Sequence, residues 1–234
     1  YSKLFSEFCF VKPVQGHKQV IQHTKAYNNL QYLHGNTAYG IIDNDWMDES
    51  SIQENKEEGI FVLPFNEVEM ILVDEAVVKS CLPFDDDKET QRKFENLQQS
   101  IIESCKAKKD KIISIALKKR LDEFMESHLI EKSEPNEHDA YVFLDSLASA
   151  FDVDSTFNKI NSIVEESLNS SDFSRILKIC NLKKEIIDYR GNTQITSKFK
   201  EKALSRIALD SELSILLRTK YFSEFVTLLN NKNT

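Results

Sequence analysis

Residues 37–49 read Thr-Ala-Tyr-Gly-Ile-Ile-Asp-Asn-Asp-Trp-Met-Asp-Glu, an apolar run ending in two carboxylates, Asp43 and Asp45, one residue apart. In an extended segment, side chains at i and i+2 point the same way. Two carboxylates held together repel, and a divalent cation relieves the repulsion. A second acidic pair, Glu67 and Glu69, follows the apolar run 59–64. If the two runs are neighbouring parallel strands, roughly 4.8 Å apart, all four carboxylates open into one crevice at the strands' C-terminal ends. Ligands that are all oxygen select Mg²⁺ or Mn²⁺ over zinc. Such an ion activates water and stabilises charge developing on a phosphodiester. Plainer readings stand beside this one. Asp-x-Asp is also an ordinary polar strand exit, and Glu67 and Glu69 would suit the first turn of any helix. Trp46, directly after the pair, is placed either to stack on a base or to pack under its own loop.

Other chemistries lack their signatures. The chain has no Gly-x-x-x-x-Gly-Lys-Ser/Thr, no Gly-x-Gly-x-x-Gly and no Gly-x-Ser-x-Gly, which disfavours an autonomous ATPase, a dehydrogenase of the usual kind and a serine hydrolase. Cys9, Cys81, Cys105 and Cys180 are scattered, and the five histidines show no i,i+4 spacing. The expectation is reduced thiols in a cytoplasmic protein, without zinc. Net charge is −8, which argues against indiscriminate nucleic-acid binding, yet the charge is uneven. Lys106, Lys108, Lys109, Lys111, Lys118, Lys119 and Arg120 face only Asp110 in the same stretch, and the tail from Gly191 carries seven basic residues against four acidic ones. An acidic centre with basic flanks fits metal chemistry on a polyanion gripped by lysines. A solvated helix face is the alternative.

The elements that must position these groups follow from periodicity. Residues 8–14 read as a strand, with Pro13 putting it at an edge or at its end. Val20, Ile21, Thr24, Tyr27, Leu30 and Leu33 recur at helical spacing, closed by Gly35. Residues 37–42 form a second strand, 44–58 a long acidic loop, and 59–64 a third, fully apolar strand. Asn66 is the expected N-cap of a helix over 67–79. This alternation implies an α/β fold built on a parallel sheet with flanking helices. From residue 88 no strand is convincing. A long amphipathic pattern over 88–130 thins near 108–111, and further helices are expected over 138–150, 155–168, 171–180, 196–207 and 211–230, with a turn at 189–193. Asp154 or Ser155, Ser170 and Asp210 are the expected caps. The organisation is thus an α/β domain over 1–85 and a mostly helical domain over 86–234, which would serve dimerisation, substrate or partner binding. No window reaches the 18 or so apolar residues of a membrane span, so no membrane is expected. The start lacks both Met and a signal pattern, as if a preceding segment existed.

The run Tyr39-Gly-Ile-Ile-Asp43-Asn-Asp45 resembles the strand-end Asp-x-Asp motif of Toprim domains, the metal-binding α/β modules of topoisomerases, primases and some nucleases. Three stretches taken together, Val14-Gln-Gly16-His-Lys18-Gln-Val20-Ile21, Gly40-Ile-Ile-Asp43-Asn-Asp45 and Ile60-Phe-Val-Leu-Pro-Phe-Asn66-Glu67-Val-Glu69, resemble the Toprim-like nuclease effectors that partner ABC-type ATPases in PARIS anti-phage defence. Residues 176–183 and 189–192 look similar to that group's helical C-terminal part. The resemblance implies Asp43 and Asp45 as Mg²⁺ (or Mn²⁺) ligands, Glu69 as a further acid with Glu67 second, and hydrolysis of RNA, with transfer RNA a plausible substrate, or of DNA. It also implies a toxic effector held by the ATPase and active as a homodimer. A Toprim site normally begins with a Glu-Gly at the end of an earlier strand, and no such strand precedes Phe8. The group therefore leaves a second expectation open: a non-catalytic Toprim-like subunit that binds the ATPase and does no chemistry.

Overall fold

The structure, a computed structural model, describes residues 1–14, 16–82, 86–129, 150–170 and 172–231. Helices dominate it. Among the described residues the sheet comprises two short strands, β1 (Gly40–Ile42) and β2 (Ile60–Val62), paired in parallel with Gly40 opposite Ile60 and Ile42 opposite Val62. Backbone hydrogen bonds carry the pairing past the strand ends. Leu63 N–H donates to the Ile42 carbonyl at 2.9 Å, and Asn44 N–H to the Phe65 carbonyl at 2.9 Å. The chain leaving β1 toward Asp43 is thereby tied to the chain leaving β2 toward Glu67.

Helix α1 (Ser2–Phe5) precedes an irregular segment. The strand expected over residues 8–14 does not form. Pro13 has no N–H to give a ladder, and Phe10 stands 91% exposed. Helix α2 (His17–Asn29) lies directly on β1. A Cβ at Gly40 would sit 2.9 Å from Val20 Cγ1 and 3.0 Å from Thr24 Oγ1, so only glycine admits this close approach. After α3 (Gln31–His34) the chain turns at Gly35 with φ 70°, as expected of a left-handed C-cap. The acidic stretch expected to be a loop contains a helix, α4 (Glu49–Glu57). Asp48 starts it by accepting the Ser51 N–H at 2.8 Å.

After β2, the single helix expected over 67–79 resolves into a 3₁₀ turn (Val68–Val73) and α5 (Glu75–Cys81). Asn66 caps neither. The carboxylate of Asp43 accepts the Val68 N–H at 3.1 Å, and Asp74 caps α5 through the Ala76 N–H at 2.9 Å. The long amphipathic pattern forms α6 (Asp87–Ala107) and α7 (Lys109–Leu129), broken at Lys108 where the apolar stripe thins. Then follow α8 (Val153–Asn169) and α9 (Phe173–Ile179), capped by Asp152 and Asp172 rather than by the expected neighbours. The helix expected over 138–150 falls almost wholly outside the described residues.

Residues 189–193 are not a turn but part of a π-helical segment (Lys184–Ile195). Its Gly191 lies against Phe199, whose ring carbon Cδ1 would be 2.3 Å from a Cβ. Helix α10 (Phe199–Leu209) comes next, and the last expected helix splits into α11 (Ser211–Tyr221), capped by Asp210, and α12 (Ser223–Asn231). Apolar side chains from both sides of residue 85 join one core, among them Met70, Leu72, Leu97, Ile112, Ile186 and Phe199. The four cysteines are free thiols. No described helix is long and apolar enough to cross a membrane.

Candidate functional site at the strand ends

Three of the four expected carboxylates, Asp43, Asp45 and Glu67, line a cavity of about 350 Å³ together with Trp46, Asn66, Ile115, Lys119, Asn181 and Lys183. The strand ends supply the acids, α7 supplies Ile115 and Lys119, and the approach to the π-helical segment supplies Asn181 and Lys183. Glu69 acts on Asp43 through space, and its own carboxylate is engaged by Lys200 at 3.4 Å and Lys183 at 3.7 Å.

Asp43 and Asp45 come together, but not by strand alternation. The extended backbone ends at Ile42, and Asp45 and Trp46 take positive φ angles of 47° and 67°. Consecutive non-glycine residues in this region are strained, and such strain persists only where surrounding contacts over-determine it. Those contacts are visible. Asn66 Oδ1 accepts the Trp46 N–H at 3.0 Å, and Met47 N–H closes a turn on the Asn44 carbonyl at 2.9 Å. From α7, Arg120 Nη2 meets Asp48 at 2.5 Å. The turn swings Asp45 toward His17 Nδ1 at 3.1 Å and Lys119 Nζ at 2.9 Å.

The carboxylates differ in consequence. Burial, then the charges of Asp45 and Glu69, push the Asp43 carboxyl up to about 6, against the opposing pull of the Val68 N–H and Lys183. Burial also works to raise Asp45, but the hydrogen bonds from His17 and Lys119 outweigh it and hold the group below the ordinary range. Glu67 is raised by burial, partly offset by Lys183, whose backbone N–H donates to it at 2.9 Å and whose Nζ lies 4.0 Å away. Among the described residues no ion pair reaches Asp43.

Among the described residues no three acid, histidine or cysteine side chains are gathered as a ready metal cluster. The donor chemistry nevertheless suits a hard divalent ion. Asp43 carries a like-charge repulsion that the Val68 N–H and Lys183 only partly offset, which is what such an ion relieves. Lysines partner the remaining acids: Lys119 pairs with Asp45, Lys183 with Glu67 and Glu69, and Lys200 with Glu69.

The basic cluster expected to grip substrate divides. Lys119 and Arg120 join the site, whereas Lys108 pairs with Glu185, Lys109 with Glu165 at 2.5 Å and Lys118 with Asp122 at 2.6 Å. Lys106 and Lys111 are exposed on the surface. Trp46 is half-buried and packs against the core, as the plainer reading had it, while also lining the cavity.

Sequence reasoning missed Asn181, Lys183, Lys200 and His17. No local pattern marks the first three, which reach the site from over a hundred residues away. His17 opens α2 within the 14–21 stretch that carries part of the family resemblance, the one local signal available. Comparison with protein-family models, curated proteins and solved structures returns no match.

Proposed function

We propose that the chain is a metal-dependent phosphodiester hydrolase of Toprim type, acting on RNA or DNA at the Asp43 cavity. The observation that carries this is the state of Asp43. It is a half-buried carboxylate raised to about 6 by burial and by neighbouring acids, placed at the end of a parallel strand beside a strained turn. Perturbed carboxylates and backbone strain gather where a site is organised for chemistry rather than for stability. The end of a parallel strand is also where α/β sheets take their ligands.

Asp43 and Asp45 would hold Mg²⁺ or Mn²⁺, with Glu69 and Glu67 as the further acids. When bound, the ion supplies Lewis-acid activation of water and charge stabilisation on the phosphoryl oxygens. The residues of the chain do the rest. The Val68 N–H fixes one oxygen of Asp43. His17 and Lys119 keep Asp45 ionised. Lys119 and Lys183 put positive charge on the cavity wall where a polyanion must enter. The resemblance to effectors of anti-phage defence makes an ABC-type ATPase the proposed partner, a homodimer the proposed active form and transfer RNA the first substrate to try.

The test is incubation of the purified chain with end-labelled transfer RNA, unstructured RNA and DNA in Mg²⁺ or Mn²⁺. Cleavage that chelation stops, and that Asp43→Asn abolishes without loss of folding, is the expected result. Equal cleavage by Asp43→Asn would remove Asp43 from the reaction. The second reading, a non-catalytic subunit that binds an ATPase, is favoured by the pairing of Asp45, Glu67 and Glu69 with lysines. It predicts an inert protein that copurifies with an ATPase from its native source.

A further inference from the structure

The cavity holds a second set of groups that the acids do not explain. Trp46 Nε1, Asn66 Nδ2 and both polar atoms of the Asn181 amide are buried without a hydrogen-bond partner. All three residues line this one cavity. Asn66 is only 3% exposed, and its other amide atom is already committed to the Trp46 N–H. Buried polar groups in folded proteins are almost always paired, so an orphaned group asks for a missing partner. Several orphans around a single space ask for the same one.

Their chemistry describes that partner. Three orphans are donors (the Trp46 indole N–H and the amide NH₂ groups of Asn66 and Asn181), and one, Asn181 Oδ1, is an acceptor. Lys183 adds an ammonium to the cavity lining, held only loosely at 3.7 Å and 4.0 Å from its acids. An acceptor-rich ligand fits these donors, which means an oxyanion. The same cavity is lined by Asp43, Asp45 and Glu67, so a ligand of low charge is favoured over a doubly charged phosphate. A phosphodiester has a single negative charge and two non-bridging oxygens, and its ribose can offer a hydroxyl to the one acceptor.

We propose that Asn66, Asn181 and the Trp46 indole, with Lys183 beside them, form a positioning subsite for the non-bridging oxygens of a nucleic-acid phosphodiester. This rests on the hydrolase reading of the same cavity. It adds that neutral donors in the same cavity orient the bond, so that a donor can be removed without removing a carboxylate.

Trp46 is the only tryptophan in the chain, so its fluorescence reports on this cavity alone. The full chain is titrated in Ca²⁺ with uridylyl-uridine and, separately, with the deoxy dinucleotide of thymidine; uridine and thymidine serve as controls without phosphate. The expected result is a saturable change for one or both dinucleotides and none for the nucleosides, the tighter one identifying the sugar. Asn181→Leu is expected to weaken that binding at least tenfold while the ligand-free unfolding midpoint stays equal or rises, since leucine has nearly the same shape and leaves no orphan. Asn66→Asp, which keeps the acceptor for the Trp46 N–H, is expected to weaken it as well.

Unchanged affinity in both variants overturns the proposal, as does a lowered midpoint in Asn181→Leu, which would make that amide a structural group. Absence of any dinucleotide signal overturns it too. Cleavage is scored in parallel. Asn181-dependent binding without cleavage sinks the hydrolase reading and leaves the subsite. Cleavage whose KM is indifferent to Asn181→Leu sinks the subsite alone.

Discussion

Asp43 and Asp74 each accept a backbone N–H at the start of a helical segment, Val68 for the one and Ala76 for the other, and they have opposite surroundings. Asp74 is 3% exposed and fully partnered: one oxygen caps α5, and the other receives Lys220 Nζ at 2.7 Å and the Tyr221 hydroxyl at 2.6 Å. It pins α11 to α5, and every lone pair it turns inward has a donor. Asp43 has one backbone N–H, two acidic neighbours and a cavity. Asp74 is buried and satisfied, whereas Asp43 is half-buried beside like charges with a single hydrogen bond. Unsatisfied charge in a folded protein costs stability. Where it is kept, beside a strained turn and orphaned amides, function is the economical explanation.

That contrast can be broken by substitution. The largest expected effect is at the satisfied site. Asp74→Ala removes a helix cap and strands the Tyr221 hydroxyl, for a loss of about 3 kcal/mol, read as a fall in Tm of roughly 6–12 °C for a chain of this size. A neutral result would mean that Asp74 is not the strut it looks like. At the unsatisfied site the sign reverses. The Asp43 carboxyl is raised to about 6 in the fold from about 3.9 in the unfolded chain. Its contribution to stability is therefore fully present below pH 4 and lost as pH rises through 6. Asp43→Asn keeps the acceptor for the Val68 N–H and removes this loss. At pH 7.5 it should exceed wild type in stability by about 1 kcal/mol, once solvent screening of a half-buried group is allowed for, and the gap should close by pH 4. A wild-type advantage at pH 7.5 would contradict the assignment.

Metal addition sharpens the same comparison, because a ligand that binds only the folded state raises Tm by mass action. Mg²⁺ or Mn²⁺ should raise the midpoint of wild type and leave that of Asp43→Asn unmoved. A smaller effect is expected at the clamp on the strained turn. The Arg120 guanidinium and the Ser51 N–H, outweighing burial, hold Asp48 well below the usual carboxylate range, but the pair is partly open to water. Arg120→Met should therefore lower stability by only about 0.5 kcal/mol. Its clearer mark should be a red shift in Trp46 emission as the turn loosens.

The same division runs through what the sequence disclosed. The apolar runs at 37–42 and 59–64, of which only 40–42 and 60–62 pair as strands, the acids that follow them, the helices either side of Lys108 and the Gly35 cap were legible, because each follows from neighbours in sequence. The strand expected over 8–14 failed because a strand needs a partner, and no periodicity supplies one. Helix α4 was hidden in an acidic stretch that Asp48 caps. Asn66 looked like a helix cap, but the competition for the Val68 N–H was won by Asp43, a side chain 25 residues away. Asn181 and Lys183 were out of reach of any local pattern, since folding alone brings them to the acids.

The central claim is that Asp43, not merely an acidic surface, makes this a divalent-cation site. Mn²⁺ titration followed by electron paramagnetic resonance tests it directly, since bound and free ion are counted without relying on turnover. The account predicts one saturable site in wild type that Asp43→Asn abolishes and that Asp74→Asn, for as long as it remains folded, retains. Equal Mn²⁺ binding by wild type and Asp43→Asn would contradict it.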